Sequence, residues 1–354
     1  MAVNYAIKYS DKVAERFAKS SVTAGAFNED VKFDGANTVR VYSVDTAPLN
    51  NYSRSSTSRY GTPVELGDSV QSFTLANDKS FTYTIDKGND NDQMNVKAAA
   101  KTLKREIDEV ISPYLDKYRL GAWAHQAGQY ASLGTMNSSS VVESVTAATA
   151  ALDNKLVPED GRTLFVTADN YRLIRLNPDF VGCEKLGEKA LGKGVVGELD
   201  GMRVIKCPEG WLPTGVEFLI THKSSVIAPT KLRDYKIHSD PPGINGNLVE
   251  GRIIHDAYVL ASRADGVYAG LNSAYYTAAP TATNVSANHA VKLNTSTNGS
   301  TIYYTLDGTD PRFNPNKLTY ASEVNYSAWA TGTVLTAAAK GGQGYWSGLT
   351  TFTV

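Results

Sequence analysis

The longest regular element this chain can form lies within residues 89–129. Val96, Ala99, Ala100, Leu103, Ile107, Val110, Ile111, Tyr114 and Tyr118 recur mostly in steps of three and four, which sets them on one face of a helix. Lys101, Lys104, Arg105, Asp108 and Glu109 fall off that stripe. Upstream, "NDNDQ" offers helix caps, and Asp90 with Gln93 has the spacing of a capping box. A helix of this extent would be on the order of 50 Å long. Pro113 falls inside the stripe. It removes one backbone donor and crowds the preceding turn, so a kink or break is expected near Ser112.

The flanking segments differ in kind. Ser10 can cap a short helix in which Val13 and Phe17 share a face. "TVRVYSVD" at 38–45 has strand composition. The serine-rich "NNYSRSSTSRYG" that follows is either a flexible linker or part of an arm that orders only against neighbouring subunits. In 61–87 two β-rich runs flank "ANDK" at 76–79, which predicts a projecting β-hairpin. Residues 140–156 read as a helix with Ser140 and Glu143 as its capping box, stopped by "VPEDG". "RTLFVTA", a helix near "DNYRLIRL", "MRVIKC", "EFLITHK" and "IIHDAYVLAS" then alternate, as in a mixed α+β domain. After Tyr276 the chain becomes rich in Thr, Ala, Asn and Ser. Past the linker-like "AAPTAT", short β-rich runs alternate with turns and predict a small β-sandwich.

With 354 residues the chain has room for two domains, or one large domain with an appendage. A net charge of −1 provides no basic tail to grip nucleic acid. Cys183 and Cys207 are too few for a disulfide scaffold and read as buried free thiols. The N-terminus lacks the apolar core of a signal peptide. No apolar run is long enough to span a membrane.

Catalytic signals are near misses. "GEKALGKG" at 187–194 approaches a phosphate-binding loop but has Gly194 where a hydroxyl should hold magnesium. His125, His222, His238, His255 and His289 show no metal-ligand spacing. "DKGNDND" at 86–92 is calcium-like in composition and cap-like in spacing. No G-x-S-x-G occurs. The expectation is therefore no catalytic residue, no cofactor, no metal and no enzyme. "GKGVVGELDGMRVIKCPEGWLP" reads instead as a tight turn feeding a buried strand, with Trp211 as an apolar anchor.

Taken in order, the arm, hairpin, long helix, mixed domain and return strands "NLVEGRIIHDAYVLASRADGVYAG" resemble the major capsid proteins of tailed bacteriophages, the Hong Kong 97-type fold. The resemblance implies an α+β capsid fold over 1–279. Within it the N-terminal arm is 1–60 and the E-loop hairpin 61–86. The peripheral domain with its spine helix is 87–140, the axial domain 141–250 and the return strands 251–279. Its implied function is structural: hexamers and pentamers of this chain form an icosahedral virion head, built in the bacterial cytoplasm around double-stranded DNA held without sequence specificity. A separate scaffolding protein and a portal are the implied partners, with no membrane. Glu65, Asp68, Asp78, Lys79 and Lys87 are the expected E-loop assembly contacts. No covalent cross-link is predicted.

"STIYYTLDGTDP", "TVLTAAA" and "TFTV" resemble the chitobiase/β-hexosaminidase C-terminal module, which implies an immunoglobulin-like β-sandwich over 280–354. Asp307 and Asp310 read as turn formers. Tyr304, Trp329, Tyr345 and Trp346 are either an aromatic platform that binds surface glycans weakly or ordinary core and surface aromatics. The module is expected to face outward, and its removal to leave shells forming. Two other readings compete. An encapsulin-like shell has no evident need of the module, and a carbohydrate-active enzyme would need placed carboxylates.

Overall fold

The computed structural model describes residues 21–29, 33–34, 38–44, 46–47, 49–55, 57–63, 65–88, 98–177, 195–286 and 289–354. The Ser10-capped helix, the Asp90/Gln93 box, Val96, Cys183 and the 187–194 loop lie outside them.

Among the described residues the first strands are β1 (Phe33–Asp34), β2 (Thr38–Val44), β3 (Asp68–Thr74) and β4 (Asn77–Asp86). Next come α1 (Ala99–Glu106), a π-helical turn (Ile107–Ile111), α2 (Ser112–His125), β5 (Gln129–Leu133), α3 (Ser138–Asn154), β6 (Arg162–Thr167) and α4 (Ala168–Leu176). Then follow β7 (Val195–Leu199), β8 (Met202–Cys207), β9 (Val216–His222), β10 (Val226–Ile227), β11 (Thr230–Ser239), β12 (Gly246–His255), β13 (Tyr258–Val259) and β14 (Val267–Asn272). The last part holds β15 (Thr281–Val285), β16 (Ala290–Asn294), β17 (Thr301–Thr305), β18 (Leu318–Thr319), β19 (Val324–Asn325), β20 (Val334–Lys340) and β21 (Thr350–Thr353). No helix among the described residues is long and apolar enough to cross a membrane.

A six-stranded mixed sheet, ordered β5-β14-β9-β6-β8-β7, carries the main core. β6 and β9 bury almost every side chain because both of their faces are covered. On one face α3 and α4 set Val145, Leu152 and Ile174 against Leu164, Val166 and Phe218. On the other, α2 sets Leu120 and Trp123 against Phe165, Ile205 and Leu219. The pleat explains the division, since Phe165 points opposite to Leu164 and Val166. The turn of "GELDG" reverses β7 into β8 with Asp200 (φ 51°) and Gly201 (φ 71°) both left-handed, as a two-residue hairpin turn requires.

Two helix boundaries differ from the sequence expectation. α3 starts three residues earlier, because Asn137 is its cap. The Asn137 side chain accepts from the Ser139 and Ser140 N–H groups, and Ser140 Oγ accepts the Asn137 N–H. The helix does not break at Pro113. The Ser112 N–H bonds back to the Ile107 carbonyl, five residues away. This wide turn ends just before the proline, so the ring falls in the first turn of a fresh α segment, where it is tolerated. The helical run from Ala99 to His125 is about 40 Å long.

The hairpin expected about "ANDK" does not form. β3 pairs with β2, with Val39 opposite Phe73 and Tyr42 opposite Val70. β4 pairs along its whole length with β12, in a separate sheet ordered β11-β12-β4. Only Leu75 and Ala76 separate β3 from β4, so the chain passes from one sheet to the next without reversing. The ribbon is therefore β2–β3, and "NNYSRSSTSRYG" belongs to its tip. There the Ser53 N–H donates to the Arg59 carbonyl, and the Tyr52 and Tyr60 rings meet edge-on at 5.1 Å. The helical run packs over the other sheet through Ile111, Leu115 and Ile253. Gly251 lies between Phe81 and Tyr235, where any Cβ would strike both rings.

Two buried carboxylates tie these pieces to the helix. Asp116 of α2 accepts from Ser21 Oγ (2.7 Å), Val22 N (2.8 Å) and Thr23 Oγ1 (2.6 Å), which fixes residues 21–23. Arg119 donates to Thr23 Oγ1 and lies over the Phe27 ring. Asp256, 4% exposed, accepts from Ala76 N (2.9 Å), Tyr118 Oη (2.6 Å), Ala257 N (2.8 Å) and Tyr258 Oη (2.7 Å). Burial, with the carboxylate beside them, holds both phenols well above the usual tyrosine range, so both remain donors.

The C-terminal segment is a β-sandwich. Sheets β15-β16-β19 and β18-β17-β20-β21 enclose Val291, Leu293, Ile302, Leu335, Ala337 and Ala339.

Asp256→Asn replaces an acceptor-only group with one that must aim an NH2 at donors. The expected loss is about 3 kcal/mol of stability, read by denaturant unfolding. His222 supplies a pH test. Its Nδ1 accepts from the Ser224 N–H, and its Nε2 donates to the Asp160 carbonyl (2.9 Å). Burial lowers its pKa below the usual histidine value. As pH falls through about 6.5 the unfolded chain takes up a proton that the folded chain refuses, so stability drops on the acid side. A melting-temperature profile of His222→Gln should be flatter there than that of the parent.

Candidate assembly surface and module junction

The β2–β3 ribbon carries apolar side chains on both faces. Val39 and Phe73 turn inward and pack with Leu75, Ile227 and Leu260, and Gln71 Oε1 accepts the Ala261 N–H. The opposite face presents Tyr42 (63% exposed), Val44 (68%) and Val70 (48%). Leu49, Tyr52, Tyr60 and Leu66 continue this exposure around the tip. Half of the chain's exposed large apolar side chains, among the described residues, thus lie within 42–70. Such concentration marks a contact surface, because scattered apolar exposure is ordinary and clustered exposure is not.

The five expected E-loop residues divide between two places. Glu65 and Asp68 are exposed on the ribbon, where Asp68 opens β3 opposite Val44. Asp78, Lys79 and Lys87 are not on the ribbon. Asp78 and Lys79 lie on β4, and Lys87 directly follows it. Arg252 donates to both Asp78 oxygens (2.9 and 2.5 Å) and holds that carboxyl below its usual range. Lys79 is exposed opposite Ile253, and Lys87 pairs with Asp240. Exposed ion pairs of this kind hold a sheet only weakly.

No described His, Cys, Asp or Glu residues form a group of three or more that could hold a metal ion. The histidines sit in separate contacts. His125 stacks on Tyr345, His238 pairs with Glu250, His255 meets the edges of Tyr114 and Tyr118, and His289 meets Tyr326.

The "LDGTDPR" phrase is a joint. Asp307 accepts from Thr309 N and Oγ1, and these bonds hold its carboxyl below the usual range. Asp310 accepts from Arg312 N (2.8 Å), Nε (2.9 Å) and Nη2 (2.7 Å). The guanidinium so fixed donates through Nη1 to the Gly128 carbonyl (2.6 Å). That carbonyl lies just past the C-terminal end of α2, a place that favours a cation. Tyr345, 2% exposed, stacks on His125 with centroids 4.5 Å apart and donates to the Thr214 carbonyl (2.7 Å). Burial raises its phenol to about 12.

Of the two readings of the sandwich aromatics, this placement favours core and surface packing over a shared platform. Tyr345 belongs to the core of the preceding body, its ring covered by His125. Trp346 is buried beneath Lys317 and Lys340. Tyr304 and Trp329 pack against the sandwich core. The four residues occupy three sites and form no shared surface. Sequence reading missed Arg312 and Tyr345 as joint residues. The available signal was an arginine directly after "TDP", since turn-forming aspartates pre-position a neighbouring cation.

Comparisons with known proteins bear on the fold. Residues 280–349 match the family model for the chitobiase/beta-hexosaminidase C-terminal domain. No curated protein matches the sequence. Among solved structures, the capsid of cyanophage P-SCSP1u is similar at a TM-score of 0.61 and 13% identity, covering 76% of this chain and 93% of that one. The asymmetric unit of the bacteriophage PhiM1 mature capsid is similar at 0.58 and 10%, covering 76% and 92%. The capsid of Helicobacter pylori bacteriophage KHP30 is similar at 0.54 and 11%, covering 75% and 94%. At such identities the likeness is one of fold: the chain has the α+β fold of these phage capsid structures, followed by the β-sandwich.

Tyr345→Ala should cost about 3–5 kcal/mol through the cavity it leaves, whereas Tyr345→Phe should cost about 1 kcal/mol for its hydrogen bond. Calorimetric melting of the full chain distinguishes them. An unchanged melting temperature in Tyr345→Ala would mean that the sandwich is only loosely attached.

Proposed function

We propose that this chain is the major shell subunit of a tailed-phage head. In this reading residues 1–279 form the capsid fold, and copies assemble into hexamers and pentamers that enclose double-stranded DNA. Residues 280–354 are an added module facing outward. A scaffolding protein and a portal are partners in assembly, which takes place in the host cytoplasm, and the finished location is the virion. The role is structural rather than catalytic.

The observation that carries this reading is the exposed apolar face of the ribbon, on a chain whose fold is shared with capsids. Among the described residues, Tyr42, Val44 and Val70 remain about half or more exposed. In this reading a second copy covers them, and repetition of one such head-to-tail contact closes a ring. A net charge of −1 suits a container that holds DNA without gripping it.

The junction alters the expected result of removing the module. Tyr345 and Phe313 pack with the core beside α2, so deletion of 280–354 uncovers apolar surface. The truncated chain should melt lower and assemble poorly.

The direct experiment is co-expression with the neighbouring phage genes, followed by electron microscopy and sedimentation. Closed shells of icosahedral outline are expected. A variant with Tyr42→Ser, Val44→Ser and Val70→Ser should retain the parent's far-ultraviolet circular dichroism and remain as small species. Shells with that variant in normal yield would remove the ribbon from the assembly contact, and a persistent parent monomer would overturn the function itself.

A further inference from the structure

Two lysines converge on one indole on the outer face of the sandwich. The Lys317 ammonium lies 5.1 Å from the Trp346 ring centroid and the Lys340 ammonium 5.3 Å from it. Lys317 is also 5.6 Å from the Tyr303 ring, which meets Trp346 edge-on at 5.4 Å. The two charges are thus no more than about 10 Å apart, close to the screening length at ~0.1 M salt.

The fold builds this arrangement. Leu335, Ala337 and Ala339 turn into the sandwich core, so Lys340, next along β20, turns outward. Lys340 faces Trp346 across a bridge that closes the 341–345 turn, with the Gly341 N–H donating to the Tyr345 carbonyl. On β17, Ile302 points inward and Tyr303 outward. In register, Thr301 lies opposite Lys340 and Thr319 opposite Tyr303.

Neither lysine has a carboxylate partner among the described ion pairs. The nearby acid is Asp310, whose carboxylate is already engaged by Arg312. Burial and the charge of Lys340 hold the Lys317 amine below the usual lysine range. An anion placed between the two ammoniums would relieve their repulsion. Exposed hydroxyls and amides adjoin them: Thr301 and Thr319 by register, Asn316 next to Lys317 in the chain and Gln343 in the turn after Lys340. That is a setting for a ligand carrying both hydroxyl groups and negative charge.

We propose that Lys317, Lys340 and Tyr303 form a binding site for the carboxylate or sulfate groups of an acidic polysaccharide. Recognition is by charge and hydroxyl hydrogen bonding. Stacking on Trp346 plays no part, since the indole is covered.

The test is calorimetric titration of the full chain with oligogalacturonate, a sulfated heparin-type oligosaccharide and a neutral chitin oligosaccharide. Binding of at least one acidic sugar is expected, none of the neutral one, and strong weakening by added salt. Lys317→Met with Lys340→Met keeps the alkyl cover over Trp346 and should weaken binding roughly ten-fold or more. The double arginine variant should retain binding. Should the methionine variant not fold, Lys340→Gln alone, at a strand end, should show the same direction of loss. Absence of acidic-sugar binding, binding undiminished in the lysine variants, or equal binding of the neutral sugar would overturn the proposal. So would binding of polyglutamate in place of the sugars, which would assign the site to a protein carboxylate.

Discussion

The ribbon, the long helix and the sheet of β4 are all referred to one buried carboxylate. Asp256 receives hydrogen bonds from the β3–β4 junction, from the helix and from the strand that follows β12. The ribbon starts where Ala76 is held, and the long sheet starts one residue later. Tyr118 carries the same carboxylate to α2, and its hydroxyl also accepts from Asn77. A buried charge is costly unless its lone pairs are filled. Filling them here requires the three elements to arrive together in one geometry. Ribbon direction, helix position and sheet register are therefore a single structural choice.

The sandwich is joined by the same logic with opposite charge. Arg312 brings a buried guanidinium to the carbonyls beyond α2, and Asp310 neutralises it from within the module. Tyr345 adds a ring to the adjacent core. Joint residues drawn from two separate loops, 307–315 and 341–346, restrain rotation as well as separation. The module thus extends the helix end rather than hanging from a linker, and the lysine pair beside Trp346 is presented from a fixed position.

The elements were legible in the sequence, but their partners were not. The stripe from Ala99 to Tyr118 and the strands "RTLFVTA", "MRVIKC" and "TVLTAAAK" have periods that local chemistry sets. Pairing depends on what lies far along the chain. "ANDK" looks like a turn because Asn and Asp favour turns, yet Asn77 is used to bond Tyr118 and the strand continues. The true ribbon partner, "TVRVYSVD", lies thirty residues back, and its two apolar faces were the visible signal. Pro113 marked the place where the α pattern is interrupted, but not the form: a π turn ending at Ile111 removes the clash, and the run continues in a fresh α segment. The aromatics of the sandwich stayed open between a glycan platform and ordinary core and surface rings, because sequence does not distinguish a ring that packs on the neighbouring body from one that faces water.

That two-faced ribbon also bears on how assembly can proceed. Burying what remains exposed of Tyr42, Val44 and Val70, about half to two thirds of each, is worth about 1–2 kcal/mol apiece, while bringing two chains together costs roughly 4–15 kcal/mol. A single ribbon contact is then close to balance and readily reversed. Closing a ring adds a contact without fixing another chain, so its gain is hardly offset. Under the proposed shell function, such a chain stays exchangeable in open arrays and becomes firmly held only in closed ones. For that to work the ribbon must keep its angle to the body before a neighbour arrives, which is the condition that the bonds to Asp256 impose.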